Sequence, residues 1–172
     1  MIEIVSSKGL GVSVAAHELG GGFTDRMHSH DSGQLLYASS GVMSVIADMT
    51  SLILPPHRAI WLPAGTRHEL TCRGPVSLRT IYIHPDLDRV LPACCVIDIT
   101  DFLKALILEV VDFGGDAGAG ERERAIIGLL LREIPRMALA PFRVPMPADP
   151  RLNRFCTALL KDPAARQGID EW

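Results

Sequence analysis

The feature that most limits the folds open to this chain is a change of rhythm near Pro92. Up to about residue 85 the apolar residues come in short runs, at 2–5, 10–16, 34–39, 42–47, 52–54, 59–62, 69–72 and 77–83. Gly, Pro, Asp or Ser clusters separate them, and no helical period lasts beyond two turns. Many short strands at close spacing require a sandwich or a barrel. After Pro92 the period becomes helical. Ile99, Phe102, Leu103, Leu106, Ile107, Val110 and Val111 recur at i, i+3, i+4 and i+7, the mark of an amphipathic helix. Thr100 or Asp101 is positioned to cap its start, and Gly114 and Gly115 to end it. A second helix is expected from about residue 121 to 139. Ile126, Leu129, Leu130, Ile134 and Met137 form one stripe, and Ile127, Leu131 and Ala138 widen it. That surplus apolar face calls for a second partner, and the same helix of another copy of the chain is the expected one.

Residues 141–150 carry Pro141, Pro145, Pro147 and Pro150, a density that makes an extended, semi-rigid linker. Asp149–Pro150 suits a helix start, and Leu152, Phe155, Cys156, Leu159 and Leu160 then make one more apolar stripe. A lone amphipathic helix is not a stable domain. The expected organisation is therefore a β-barrel over 1–92, a helical region over 93–140, a linker over 141–150, and over 151–172 the opening of a second domain.

Bulk composition removes several function classes. The net charge of −3, from 17 Lys and Arg against 20 Asp and Glu, is not the balance of a free-standing nucleic-acid binder. The most apolar stretch, 102–111, is broken by Lys104 and Glu109 and is too short to cross a bilayer. The start of the chain lacks a basic segment followed by an apolar one, so a soluble, cytoplasmic protein is expected. Cys72, Cys94, Cys95 and Cys156 form no C-x-x-C pair and read as free thiols.

The chemistry concentrates in residues 22–41 and 57–68. His28 and His30 are one residue apart, so on a strand both would project to one face, with Gln34, Leu36 and Ala38 in the same parity. His68 shares parity with Leu70 and Cys72, while Glu69 has the opposite one. Three imidazoles and the Gln34 carbonyl can converge on one cation, and imidazole suits Zn, Ni, Fe or Cu. No further inward carboxylate is expected near these residues.

Gly22, His28, His30 and Gly41, with Pro63, Gly65 and His68, fall at the spacings of the two motifs of the cupin superfamily, which this chain therefore resembles. It departs from the pattern twice. Gln34 stands in the place of the motif's Glu, and His57 in the place of the second motif's leading Gly. The resemblance implies a mainly β double-stranded β-helix, or jelly-roll barrel, with a ligand site inside. It names His28, His30, Gln34 and His68 as metal ligands and Leu36, Trp61, Leu70 and Tyr82 as the effector pocket; the rival is a pocket with no metal, in which the histidines hydrogen-bond an effector. A neutral Gln in the acid's place leaves a bound divalent ion uncompensated, which disfavours catalysis and favours an anionic effector.

A narrower resemblance joins the barrel to the rest of the chain. Residues 28–45, 52–70 and 77–83, with the two helices and the proline linker, are similar to the ligand-sensing part of AraC-type bacterial transcription regulators. This implies an effector-sensing domain that is not an enzyme, a homodimer formed through 99–139, and a DNA-binding domain entered at about residue 151. DNA would be read only by the full-length regulator. The alternative is a stand-alone metal-dependent cupin enzyme, a dioxygenase or isomerase, which leaves the linker and the last helix unexplained.

Overall fold

The computed structural model describes residues 11–47, 49–87, 90–114, 120–140, 143–145, 147 and 149–161. The strand expected at 2–5, most of the glycine loop at 114–120 and the last residues, 162–172, lie outside them. The chain begins with eight strands, β1 (Val12–Leu19), β2 (Thr24–His28), β3 (Gly33–Ser40), β4 (Met43–Ala47), β5 (Thr50–Leu54), β6 (Arg58–Leu62), β7 (His68–Cys72) and β8 (Val76–Ile83). A short β9 (Cys95–Asp98) leads into helices α1 (Asp101–Asp112) and α2 (Glu121–Glu133). Two short strands, β10 (Leu139–Ala140) and β11 (Arg143–Pro145), precede helix α3 (Pro150–Lys161).

The strands make two antiparallel sheets that close face to face as a jelly-roll barrel, mainly β with helices at its C-terminal end. One sheet runs β1-β8-β3-β6-β9-β10 and the other β11-β5-β4-β7-β2. Their facing sides fill the interior with Leu36, Ala38, Ile60, Leu62, Leu78 and Tyr82 from the first, and Met43, Val45, Leu52, Leu54, Leu70 and Cys72 from the second. The six-stranded sheet is buried on both sides. Its outer residues, among them Leu35, Tyr37, Trp61, Ile81 and Ile83, pack with Leu103, Ile107 and Val110 of α1 and Ile127 and Leu130 of α2. This is why 35–38 and 59–62 read as unbroken apolar runs: a strand buried on both faces loses its alternation.

Local chemistry sets the helix ends. Thr100 Oγ1 accepts a bond from the Leu103 backbone N–H at 3.2 Å, capping α1. Asp149 Oδ1 accepts from the N–H groups of Arg151 at 2.8 Å and Leu152 at 3.1 Å, which fixes the start of α3 as its sequence suggests. α2 stops earlier than expected. Beyond Glu133 the chain tightens into a 3₁₀ turn over Ile134–Arg136, because Pro135 has no N–H to continue the α ladder and its ring crowds the preceding turn. Two short strands then return to the barrel, β10 beside β9 and β11 beside β5.

A histidine cluster at one end of the barrel

Three histidines from two segments distant in sequence meet at one end of the barrel. His28 closes β2 and stands opposite His68, the first residue of β7. His30 is not on a strand, contrary to the single-strand geometry expected for the pair. It lies in the turn between β2 and β3. What positions it is the second motif: the Gly65 N–H donates to the His30 carbonyl at 2.8 Å. Gly65 itself sits in a turn closed by the Thr66 N–H to the Pro63 carbonyl at 3.1 Å, with φ +77° at Gly65. A type II turn requires positive φ at its third residue, so proline, glycine and histidine belong to one device. The two motifs are thus hydrogen-bonded to each other.

The ring geometry is tight. Centroid separations are 4.7 Å for His28–His30, 4.4 Å for His28–His68 and 5.4 Å for His30–His68. One nitrogen from each ring lies within 4.8 Å of the others. Backbone carbonyls select the tautomers. His28 Nδ1 donates to the Arg26 carbonyl at 2.6 Å, and His68 Nδ1 to the Thr66 carbonyl at 2.9 Å. A carbonyl only accepts, so Nδ1 carries a proton on both rings. His28 Nε2 lies 3.1 Å from His30 Nε2. His68 Nε2 is buried and has no hydrogen-bond partner among the described residues. Burial, and then the charges His28 and His68 would carry, hold His30 down to about 4. Burial likewise lowers His68, against the opposing pull of its bond to Thr66. Both are neutral near pH 7. With the Nδ1–H groups of His28 and His68 tied to carbonyls and a nitrogen of His30 beside them, the three imidazoles form a donor set that fits a borderline divalent ion.

Gln34 and Tyr82 extend the cluster into the barrel. They are paired across β3 and β8, and Gln34 Nε2 donates to Tyr82 Oη at 3.4 Å. Gln34 Oε1 is buried without a hydrogen-bond partner among the described residues. The Tyr82 ring stands 5.2 Å from His30, and burial raises its hydroxyl to about 12, so it stays a neutral donor and acceptor. Leu36 and Leu70 line the same interior. Trp61 does not. Ile60 and Leu62 take the inward positions of β6, so Trp61 turns to the helix side, where its Nε1 donates to the Leu91 carbonyl at 3.0 Å. Alternation on a two-sided strand forces that exchange. An open groove of about 460 Å³ lies elsewhere, on the outer side of the five-stranded sheet, where outward residues such as Ser44, Glu69 and Arg73 meet Thr157 of α3.

One residue in the neighbourhood escapes the sequence reading. Asp25 is an inward carboxylate, 5% exposed, with Oδ2 at 3.9 Å from His28 Nε2. Simple alternation puts it opposite to His28, three residues away. A register shift between Asp25 and His28 reverses that parity, with Asp25 paired to Leu70 and His28 to His68.

Residues 13–94 match the AraC-like ligand binding domain family. Over 149 residues the chain is 24% identical to the HTH-type transcriptional regulator NimR of Escherichia coli K12, a match covering 87% of this chain and 55% of that protein. The chain thus spans about half the length of this curated relative. Its fold is similar to that of ToxT from Vibrio cholerae O395, at TM-score 0.54 and 12% identity over 92% of this chain and 66% of that one. A ToxT structure with bound unsaturated fatty acid, from strain SCE256, gives the same TM-score at 10% identity over 95% of this chain and 68% of that one.

Proposed function

We propose that this chain, whose residues 13–94 match the AraC-like ligand binding domain family, is the effector-sensing portion of a bacterial AraC-type transcription regulator and that its sensing centre is the histidine cluster. The observation that carries this reading is the convergence of His28, His30 and His68 beside buried, under-bonded Gln34 and His68. His28, His30 and His68 would hold a divalent Zn, Ni, Fe or Cu ion, with Gln34 beside them, and a small molecule would enter against Tyr82, Leu36 and Leu70. A cation held by neutral side chains keeps positive charge, which selects an anionic effector. DNA is a partner of the longer regulator, through a domain beginning near residue 151, after the helical region 93–140 and the linker 141–150. Binding rather than catalysis is the role assigned to this chain.

The strands supply a route from site to helices. Tyr82 faces the cluster, whereas its neighbours Ile81 and Ile83 on β8 lie in the core under α1. β6 repeats the arrangement, with Ile60 and Leu62 inward and Trp61 against the helices. An effector that moves Tyr82 therefore acts on the packing beneath α1. Outside that packing, α2 leaves Leu129 39% exposed, with Ile126 on the preceding turn half-buried at the edge of the helix core. These residues offer an apolar strip for a second copy, a homodimer through 99–139.

Metal analysis of purified wild type beside His28→Ala tests the centre. One divalent ion per chain in wild type and none in the variant is the expected result; equal content in both overturns it. Sedimentation of wild type and Leu129→Glu tests the dimer. A dimer that becomes a monomer in the variant is expected, and a wild-type monomer at micromolar concentration refutes it.

A further inference from the structure

The cluster lacks charge where it needs it. Three neutral imidazoles and the neutral Gln34 amide leave a divalent ion with its full charge beside the buried His68 and Gln34, an expensive arrangement. Among the described residues, the same end of the barrel holds one inward carboxylate, Asp25. Its neighbours on β2, Thr24, Arg26 and Met27, are exposed, while Asp25 is buried opposite Leu70. The cause is the extra residue in β2: from Asp25 to His28 the strand takes three steps while β7, from Leu70 to His68, takes two. A bulge of this kind re-aims a side chain, and here it brings Asp25 onto the side of the sheet that carries His28 and His68.

Distance decides what the carboxylate can do there. Two donors of one ion, each at about 2.0–2.2 Å from it, lie at most about 4.4 Å apart. Asp25 Oδ2 and His28 Nε2 are 3.9 Å apart, within that span. Gln34 donates its Nε2 to Tyr82 at 3.4 Å, and its buried Oε1, being neutral, brings no charge to the ion. We propose that Asp25 is the anionic ligand of the centre, so that a three-histidine, one-carboxylate site is assembled across the β2 bulge and the edge pair β2–β7. This rests on the metal reading of the histidine cluster. It assigns the ion a net charge near +1 once bound, and it makes the bulge, rather than the residue at position 34, the element on which affinity depends.

The test uses residues 1–172 with Zn²⁺ in competition against a chromophoric chelator, and Co²⁺ as a spectroscopic probe. Wild type, Asp25→Asn, Gln34→Ala and His68→Ala are compared, with circular dichroism and thermal melts to establish folding. Asp25→Asn, which keeps the shape and removes the charge, is expected to weaken Zn²⁺ binding by about 10-fold or more and to alter the Co²⁺ visible spectrum. Gln34→Ala is expected to change affinity by less than about 3-fold. An Asp25→Asn affinity within about 3-fold of wild type, with an unchanged Co²⁺ spectrum, overturns the assignment while His68→Ala still loses the ion. Equal binding in wild type and His68→Ala, or none in either, sinks the histidine reading and this one with it. Should Asp25→Asn misfold, or change affinity without changing the spectrum, anomalous diffraction from Zn²⁺-loaded wild type decides. A carboxylate oxygen of Asp25 at about 2.0–2.2 Å from the ion supports the proposal, and one beyond about 3 Å refutes it.

Discussion

Two positions of the two glycine–histidine motifs, Gly41 and His57, show how single residues hold this barrel. Gly41 has φ +81°, and a Cβ there would lie 2.1 Å from the Pro75 carbonyl oxygen and 2.9 Å from the Val76 Cα. Both obstacles are backbone and cannot yield. Gly41→Ala is therefore expected to cost about 3 kcal/mol or more, from the left-handed backbone and the clash together. His57, in the place of a motif glycine, keeps the backbone that glycine would have, at φ +67°, and its side chain is exposed. His57→Gly removes the strain and should stabilise by about 1 kcal/mol after glycine's larger entropy loss. Urea denaturation reads both changes as opposite midpoint shifts at constant slope. The histidines were legible because their spacing survives as geometry. Asp25 was not, because one bulged residue reverses parity and leaves no mark in the five letters TDRMH. Trp61 was misassigned for a related reason: Ile60, Trp61 and Leu62 are all buried, so the letters do not say which side is inside the barrel.

Among the elements, the strands with an apolar side and the α1 period were readable, and β2 was not. β2 is an edge strand of mostly exposed polar residues, paired only to β7. Pairing, not propensity, makes it a strand. α2 shows the complementary case. Its apolar residues spread over more than one side, and the sheet selects Ile127 and Leu130, with Ile134 just beyond, as the buried line. Leu130→Ala opens a cavity against the six-stranded sheet and should destabilise by about 2–5 kcal/mol. Leu129→Ala, one residue away, should change monomer stability by no more than about 0.5 kcal/mol. Thermal or urea unfolding of the two variants at low protein concentration checks the contrast. Equal losses would mean that α2 packs with a different side than described.

Taken whole, the molecule has two apolar cores sharing one sheet, with a neutral histidine cluster at the end of the inner core. That placement makes stability depend on pH. His30, at about 4, and His68, lowered in the same direction, bind protons less readily in the folded state than in the unfolded chain near 6.5. Between those values the unfolded state takes up more protons, so stability falls as pH drops from about 6.5 toward 4. Melting temperatures from pH 7.5 to 4.5 should decline through that window, and Zn²⁺ should deepen the decline by binding the deprotonated rings. His68→Ala should flatten both effects, and an unchanged slope in that variant would refute the attribution. No helix among the described residues is long and apolar enough to cross a membrane, in keeping with the charges that interrupt residues 102–111.

By itself the sequence determined the strand-to-helix order, the histidines and the turn that holds them, and the caps of α1 and α3. Each rests on local rules: period, spacing, and the φ and hydrogen bonds that a few residue types supply. Tertiary structure alone decided what depends on a partner strand. It chose which side of β6 faces the barrel and sent Trp61 to the helices. It made a strand of residues 24–28, returned β10 and β11 to the barrel edges, and turned Asp25 inward beside His28. The physical reason is that a strand's faces are defined only by what it pairs with, and a single extra residue in the pairing exchanges them.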